Sequence, residues 1–143
     1  MNKTILMSIK TEYTDKIFAK TKLWEFRKAI PKLKDGEKLK VVVYSSKVKK
    51  AIIGEFTAGK ILKCSFDELM IKTGEKTEEE IKWFKDYYQD RTDCYAIEIL
   101  NPTLYSKEVT LKTLKNNIEH FAAPQNFIYI TKDSKLNILI RGE

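Results

Sequence analysis

Residues 39–46 (LKVVVYSS) constrain the fold most, because three consecutive valines stand inside a short apolar run. β-branched residues favour strands, and a continuous apolar run predicts a strand that is buried on both faces. After the turn KVKK, residues 51–64 (AIIGEFTAGKILKC) predict a second long strand, with Gly54 and Gly59 as bulges or points of close approach. We therefore predict that 39–46 is a central strand, paired with 51–62, in a small curved barrel.

The rest of the chain alternates short strands with short helices. Apolar alternation predicts further strands at residues 4–9, 23–30, 94–100, 126–130 and 136–142. Helices are predicted at 11–21 with Thr11 as N-cap, after the S-x-x-E and T-x-x-E capping boxes at 65 and 77, and at 111–118. This interleaving is too irregular for a parallel βαβ sheet. The sequence predicts an α+β protein, with a mixed, mostly antiparallel small β-barrel and short helices on its outside.

Length and composition indicate one folded domain over residues 1–143. Hydrophobic residues make up 43% of the chain and charged residues 33%, which is typical of a globular protein. No apolar run approaches the roughly 20 residues of a membrane helix, and no signal segment opens the chain, so we expect a cytoplasmic protein without membrane contact. Cys64, Cys94 and a single histidine fall short of a four-ligand zinc site. We expect two free thiols, no metal and no cofactor.

Charge is distributed unevenly along the chain, whose net charge is +7. Residues 16–50 hold twelve Lys/Arg and three Asp/Glu, whereas residues 65–90 hold eight acids and four bases. This pattern predicts a polyanion-binding face, with the acidic helices lying away from it. The alternative is a generally lysine-rich composition without a binding role. On the first interpretation, one cleft is surrounded by Lys10, Lys22, Arg27, Lys47, Lys49 and Lys50.

The segment TKLWEFRKAIPK (21–32) carries an acid inside the most basic part of the chain. In a strand, Trp24 and Phe26 face the core, while Glu25 and Arg27 share the other face about 7 Å apart. A glutamate between cations stays ionised and can accept hydrogen bonds from a base edge, while Lys22 and Arg27 hold phosphate. The alternative is a structural Glu–Arg pair at the barrel end.

A second group of candidate contacts stands where the valine strand ends. Tyr44 closes the apolar run and is followed by hydroxyls and lysines, which are typical phosphate contacts. An ordinary hydroxyl-rich turn explains the same residues. The candidates in this group are Tyr44, Ser45, Ser46, Lys47, Lys49 and Lys50.

The order of motifs resembles the ASCH domain family of the PUA-like superfamily. In chain order, the motifs are MSIKTEYTDKIFAKTKLWEFRKAIP, VVVYSSKVKKAIIGEF, YAIEI and APQNFIYI. The resemblance extends from about Ile5 to about Ile130. The family's small-x-Lys-x-x-Glu-x-Arg signature reads KTKLWEFR at 20–27, with Lys20 in place of the usual glycine. The resemblance implies a PUA-like β-barrel with an RNA-binding cleft, and its Pro-Gln-Ser-Phe-like segment adds Gln125, Asn126 and Phe127 to the candidates.

The resemblance also implies two enzymatic alternatives. Relatives that hydrolyse N4-acetylcytidine use a lysine, which Lys22 matches, and a threonine, at whose place Glu25 stands. Ribonuclease relatives rely on Tyr, Lys and Ser, of which Tyr44 and Lys50 match two, while Asn126 replaces the serine. The catalytic candidates are Lys22, Glu25, Tyr44 and Lys50. Three hypotheses follow: an RNA-binding module with a role in RNA processing or regulation, a small enzyme acting on RNA or a modified nucleoside, and a sensor of a nucleotide-like ligand.

Overall fold

The valine strand is central in the computed structural model, which describes residues 2–142. It spans Lys38–Ser46 (β3) and pairs antiparallel with Ala51–Cys64 (β4) and parallel with Asn2–Lys10 (β1). Val41, Val42 and Val43 are fully buried. The prediction of a central strand at 39–46 paired with 51–62 is confirmed.

Three further strands complete a six-stranded sheet that curves into a half-barrel. They are Trp24–Arg27 (β2), Cys94–Thr110 (β5) and Phe127–Tyr129 (β6), and the strand order is β2-β5-β4-β3-β1-β6. In the part of the chain that the structure describes, β1 and β3 are the only parallel pair. This confirms the predicted α+β fold with a mixed, mostly antiparallel sheet and short helices.

Five helices are found among the described residues: Thr11–Phe18 (α1), Phe66–Lys72 (α2), Glu78–Tyr88 (α3), Leu111–Asn117 (α4) and Lys135–Arg141 (α5). The Ser65 hydroxyl caps α2, and Thr77 with Glu80 forms the predicted capping box of α3. The prediction of Thr11 as N-cap is wrong, because Lys10 occupies that position. The Thr11 hydroxyl instead donates to the Ser46 carbonyl oxygen at 2.7 Å. None of these helices is long and apolar enough to cross a membrane.

Three predicted strands differ clearly from the structure. The strand predicted at 23–30 is limited to Trp24–Arg27. The segment predicted as a strand at 136–142 is helical as far as Arg141, because Leu136, Leu139 and Ile140 at helical spacing pack on one apolar cluster. The Ser134 hydroxyl caps this helix, and Gly142 ends it with a left-handed φ of 75°. The strand predicted at 94–100 continues to Thr110, because its second half pairs with the beginning of β4.

The two glycines of β4 occupy irregularities of the sheet, as predicted. The register between β4 and β5 shifts between Ile52 and Gly54 and again between Ala58 and Ile61. A Cβ atom at Gly54 would lie 2.4 Å from the Thr103 carbonyl oxygen and 2.8 Å from the Phe18 ring. Gly54 therefore lets helix α1 and strand β5 approach the same point of β4.

We expect Gly54→Ala to lower the free energy of unfolding by about 1–3 kcal/mol, because the added methyl group meets a backbone carbonyl that cannot move alone. Denaturant unfolding measures this loss. Gly59→Ala is the matched control on the same strand. Its Cβ would meet the Glu98 carboxylate and the Leu100 side chain, which can rotate away. A larger loss for the Gly59 variant than for the Gly54 variant would contradict this account.

Candidate functional site

A cleft of about 710 Å³ opens where the parallel strands β1 and β3 both end. Helix α1, strand β2, helix α3 and the segment 123–125 form its other walls. Predicted residues that line it are Lys10, Lys22, Glu25, Arg27, Ser46, Lys47 and Gln125. Lining residues that the sequence reasoning did not select for the site are Ser8, Ile9, Tyr13, Lys16, Phe26, Glu80, Trp83, Phe84, Tyr87, Ala123 and Pro124.

Arg27 joins opposite sides of the half-barrel. It belongs to the edge strand β2, yet its guanidinium donates to the Ser8 carbonyl oxygen of β1 at 3.3 Å. The other nitrogen donates to the backbone and side-chain oxygens of Asn126, just before the far edge strand β6. The side chain is only 13% exposed. Arg27 therefore holds the cleft together, and most of its donors are already engaged.

Glu25 lies on the floor of the cleft and is 5% exposed. One carboxylate oxygen accepts a hydrogen bond from Arg27 at 3.1 Å, and the other lies 3.4 Å from the Lys22 ammonium. Lys22 also donates to the Trp24 carbonyl oxygen and lies 5.3 Å from the centre of the Phe26 ring. A carboxylate has room for about four hydrogen bonds, so this one retains acceptor capacity toward the cleft.

Aromatic side chains of α3 form one wall of the cleft. Trp83 stacks on Tyr87 with ring centres 5.5 Å apart and meets Tyr13 of α1 edge-on at 6.4 Å. Phe84 packs on Phe26 at 4.3 Å. Burial raises the pKa of Tyr13 and of Tyr87, whose hydroxyl donates to the Phe26 carbonyl oxygen. Trp83 remains 48% exposed, so part of its ring is free for contact.

The prediction that the acidic helices lie away from the cleft is therefore wrong for α3. A net charge over 65–90 does not distinguish the two faces of a helix, and the aromatic face of α3 turns toward the cleft. The sequence signal for this wall was the spacing of Trp83, Phe84 and Tyr87. Ile81 of the same helix is 38% exposed and does not line the cleft.

Four lysines line the cleft: Lys10, Lys16, Lys22 and Lys47. Lys47 adopts a left-handed φ of 78° in the turn after β3. Lys49 and Lys50 do not line the cleft, contrary to the prediction. Lys49 instead pairs with Glu108 at 2.8 Å, and this carboxylate raises the pKa of the lysine.

Two candidates at the end of β3 are interior residues. Tyr44 is 2% exposed and packs in the apolar cluster with Leu6 and Ile52, and burial raises its pKa. Ser45 is fully buried, and its hydroxyl lies 2.9 Å from those of Thr11 and Thr14. The predicted phosphate contacts of Tyr44 and Ser45 are therefore wrong for this conformation. Tyr44 and Lys50 do not join Lys22 and Glu25 in the cleft.

The segment before β6 forms the rim of the cleft. Ser8 fixes it by donating from its hydroxyl to the Pro124 carbonyl oxygen at 2.6 Å. Gln125 lines the cleft, whereas Asn126 is engaged with Arg27 and Phe127 packs against the core. Of these three predicted contacts, only Gln125 faces the cleft.

A second carboxylate cluster provides a comparison with Glu25. Glu55 accepts hydrogen bonds from the Tyr105 hydroxyl at 2.8 Å and from Arg141 at 3.0 Å, and lies 3.1 Å from the Lys40 ammonium. Although burial alone would raise it, the pKa of Glu55 is lowered by these partners. Glu55 does not line the cleft. Among residues 2–142, no three His, Cys, Asp or Glu side chains form a cluster that could hold a metal ion.

No protein-family model and no curated protein sequence matches the chain. Solved structures do match. The ASCH protein from Zymomonas mobilis has a TM-score of 0.78 at 18% identity, covering 96% of this chain and 94% of that one. A tyrosine-to-phenylalanine variant of the same protein gives the same score and identity. The N-terminal domain of McrB from Staphylothermus marinus has a TM-score of 0.60 at 14% identity, covering 97% and 94%. The chain therefore has the fold of the ASCH protein structures.

Proposed function

We propose that this chain binds single-stranded RNA and accommodates one nucleotide in the cleft. The observation that carries the proposal is the meeting of an aromatic wall, four lysines and an anchored carboxylate in one cleft. Its volume lies within the roughly 300–1,000 Å³ typical of small-ligand sites. The resemblance to ASCH domains implies the same class of ligand.

Each part of the cleft has a separate role in this proposal. The exposed face of Trp83 stacks on a base, since aromatic rings bind any base through its π face. Lys10, Lys16 and Lys47 contact the phosphates on either side. Gln125 offers an amide to the base or sugar.

Glu25 supplies discrimination in this arrangement. Its carboxylate repels phosphate from the floor of the cleft and accepts hydrogen bonds from base amino or imino groups, such as cytosine N4 or guanine N1 and N2. Lys22 and Arg27 keep the carboxylate in place. Affinity thus comes mainly from stacking and phosphate contacts, and preference among bases comes from Glu25.

The dependence of RNA affinity on salt concentration separates the contribution of base stacking from that of phosphate contacts. We expect Trp83→Ala to weaken binding of a labelled single-stranded oligonucleotide by about 1–3 kcal/mol at every salt concentration. We expect Lys47→Ala to reduce the slope of log K against log salt by about 0.7, the contribution of one phosphate contact on a single strand. Fluorescence anisotropy between about 50 and 200 mM salt measures both.

Two variants outside the cleft control this experiment. Ile81→Ala truncates an exposed apolar residue of the same helix as Trp83, and Lys60→Ala removes an exposed lysine of β4. Neither residue lines the cleft, so neither variant should change affinity or slope. Wild-type affinity that stays flat across the salt range would contradict the proposal. Stabilisation by free nucleosides without binding of longer RNA would favour the ligand sensor.

We expect Glu25→Gln to reduce the preference among homopolymers by about 1–3 kcal/mol, the scale of one bidentate base contact. Non-specific affinity should hold or rise, because a negative charge leaves the cleft. The variant should also unfold more easily, since Lys22 and Arg27 lose their shared partner. Competition binding with four homopolymers measures the preference.

Glu55→Gln is the matched control for the loss of stability. Glu55 is also held by cations and a hydrogen-bond donor, but outside the cleft. This variant should lose stability while keeping the base preference of the parent. Equal binding of all four homopolymers by both the parent and the Glu25 variant would mean that Glu25 reads no base.

A hydrolytic function in the same cleft is the second candidate. The observation that favours it is the Lys22–Glu25 pair, 3.4 Å apart and largely shielded from water beside the Phe26 ring. Lysine and glutamate are both residue types that serve as general acids and bases in enzymes. The substrates to consider are RNA and N4-acetylcytidine.

We expect Lys22→Met to abolish any turnover of these substrates while changing nucleotide affinity less than tenfold, because it removes the ammonium but keeps the apolar stem. Product analysis by liquid chromatography, alongside binding measurements, tests this expectation. Glu55→Gln again serves as the control that should keep its turnover. If the wild type leaves both RNA and N4-acetylcytidine unchanged, the hydrolytic candidate is excluded and RNA binding remains as the proposed function.

A further inference from the structure

The two cysteines of the chain face each other across a strand pair. Cys64 is the last residue of β4 and Cys94 the first residue of β5, and the two are direct partners in the antiparallel register. Direct partners have Cα atoms about 4.5 or 5.5 Å apart. A disulfide spans Cα distances of about 4.4–6.8 Å, so the register meets its first geometric requirement.

The side chains also share a face of the sheet. Both cysteines belong to the apolar cluster that includes Leu69, Tyr88 and Ala96, with Cys94 fully buried and Cys64 partly exposed. Opposed Cβ atoms are usually about 4.5–5.5 Å apart, whereas a disulfide needs about 3.5–4.5 Å. The pair stands at the end of the strand ladder, where the chain leaves the sheet on both sides, so a small approach disturbs no further strand pairing.

We propose that Cys64 and Cys94 are a site of reversible oxidation and form an intramolecular cross-strand disulfide. This inference is independent of the proposed RNA binding. The chain holds no other cysteine, so no other intramolecular disulfide competes. Both thiols are free in the structure, which represents the reduced form.

The oxidant we assign is a low-molecular-weight disulfide, such as oxidised glutathione. The partly exposed Cys64 thiolate attacks one sulfur of this disulfide, forms a mixed disulfide and releases one glutathione thiol. The Cys94 thiolate then attacks the Cys64 sulfur and releases the second glutathione. The protein loses two electrons and two protons in total, and oxidised glutathione is reduced to two thiols.

The disulfide would close the base of a single structural segment. Residues 65–93 leave the sheet after Cys64, form α2 and α3, and return at Cys94. Helix α3 carries the aromatic wall of the cleft. Linking both ends of this segment restricts the unfolded chain and thereby stabilises the fold. It also fixes the point from which the wall extends.

The thiols require a raised pH for rapid exchange. Burial raises the pKa of both Cys64 and Cys94, so the reactive thiolate is scarce at neutral pH. Below the thiol pKa the thiolate fraction grows tenfold per pH unit, and the closure rate should grow with it. The charged groups that act on the pair are Glu68 and Lys72 of α2, and Arg91 and Asp93 of the segment before β5. The Tyr88 phenol of α3 is a further titratable group in the same cluster.

The test incubates the full chain with oxidised glutathione at about pH 8.5, close to the ordinary thiol pKa, followed by alkylation, intact mass measurement and thermal unfolding. We expect loss of both alkylatable thiols, a mass lower by two hydrogens, a monomer on a non-reducing gel, and a Tm higher by about 5–15 °C. Dithiothreitol should reverse all four changes. The Cys64→Ser and Cys94→Ala variants should gain no Tm under the same treatment.

Several outcomes would overturn the proposal. These are a glutathione adduct on Cys64 beside a free Cys94, a disulfide-linked dimer, two thiols that remain alkylatable, or a monomeric disulfide without a gain in Tm. A Tm gain of the same size in the oxidised Cys64→Ser variant would also overturn it, because that variant cannot form the bond.

Discussion

The contacts of Arg27 are the interaction on which the cleft depends. The sheet is a half-barrel whose edge strands β2 and β6 do not pair among the described residues, and one guanidinium connects β2 to β1 and to the chain before β6. A planar group with five fixed donors suits this task better than an ammonium. Glu25 balances its charge from the same strand. The Glu25–Arg27 ion pair is thus the structural pair expected at the barrel end, and it also lines the cleft.

This dual role changes how the basic segment at 21–32 is understood. Arg27 is committed to the fold, and Lys22 donates to the Trp24 carbonyl oxygen and contacts Glu25, so neither is a free phosphate contact. The cleft lysines without such partners among the described contacts are Lys16 of α1, Lys10 at the end of β1 and Lys47 after β3. In the proposed function, phosphate contacts and base contacts therefore come from different elements and can be varied separately.

The sequence predicted what local patterns determine. The valines of β3, the glycines of β4 and the capping box at Thr77 each act through neighbours in the chain or in a single strand pair. Helix α5 was mistaken for a strand because a short aliphatic run fits either state until packing selects one. Trp83 was missed because its place in the cleft depends on a tertiary contact, in which its ring meets Tyr13 of α1. Tyr44 was misplaced because the polar sequence after it does not reveal that its side chain points into the core.

The rim segment before β6 determines how late in folding the cleft can form. Arg27 and Ser8 take partners at Asn126 and Pro124, which lie 99 and 116 residues further along the chain. Contacts of such sequence separation form late, because a long loop must close first. A ribosome-bound chain that has already paired β3 with β4 would still lack this rim. The protein can therefore acquire most of its sheet during synthesis while its cleft stays incomplete until the last strand emerges.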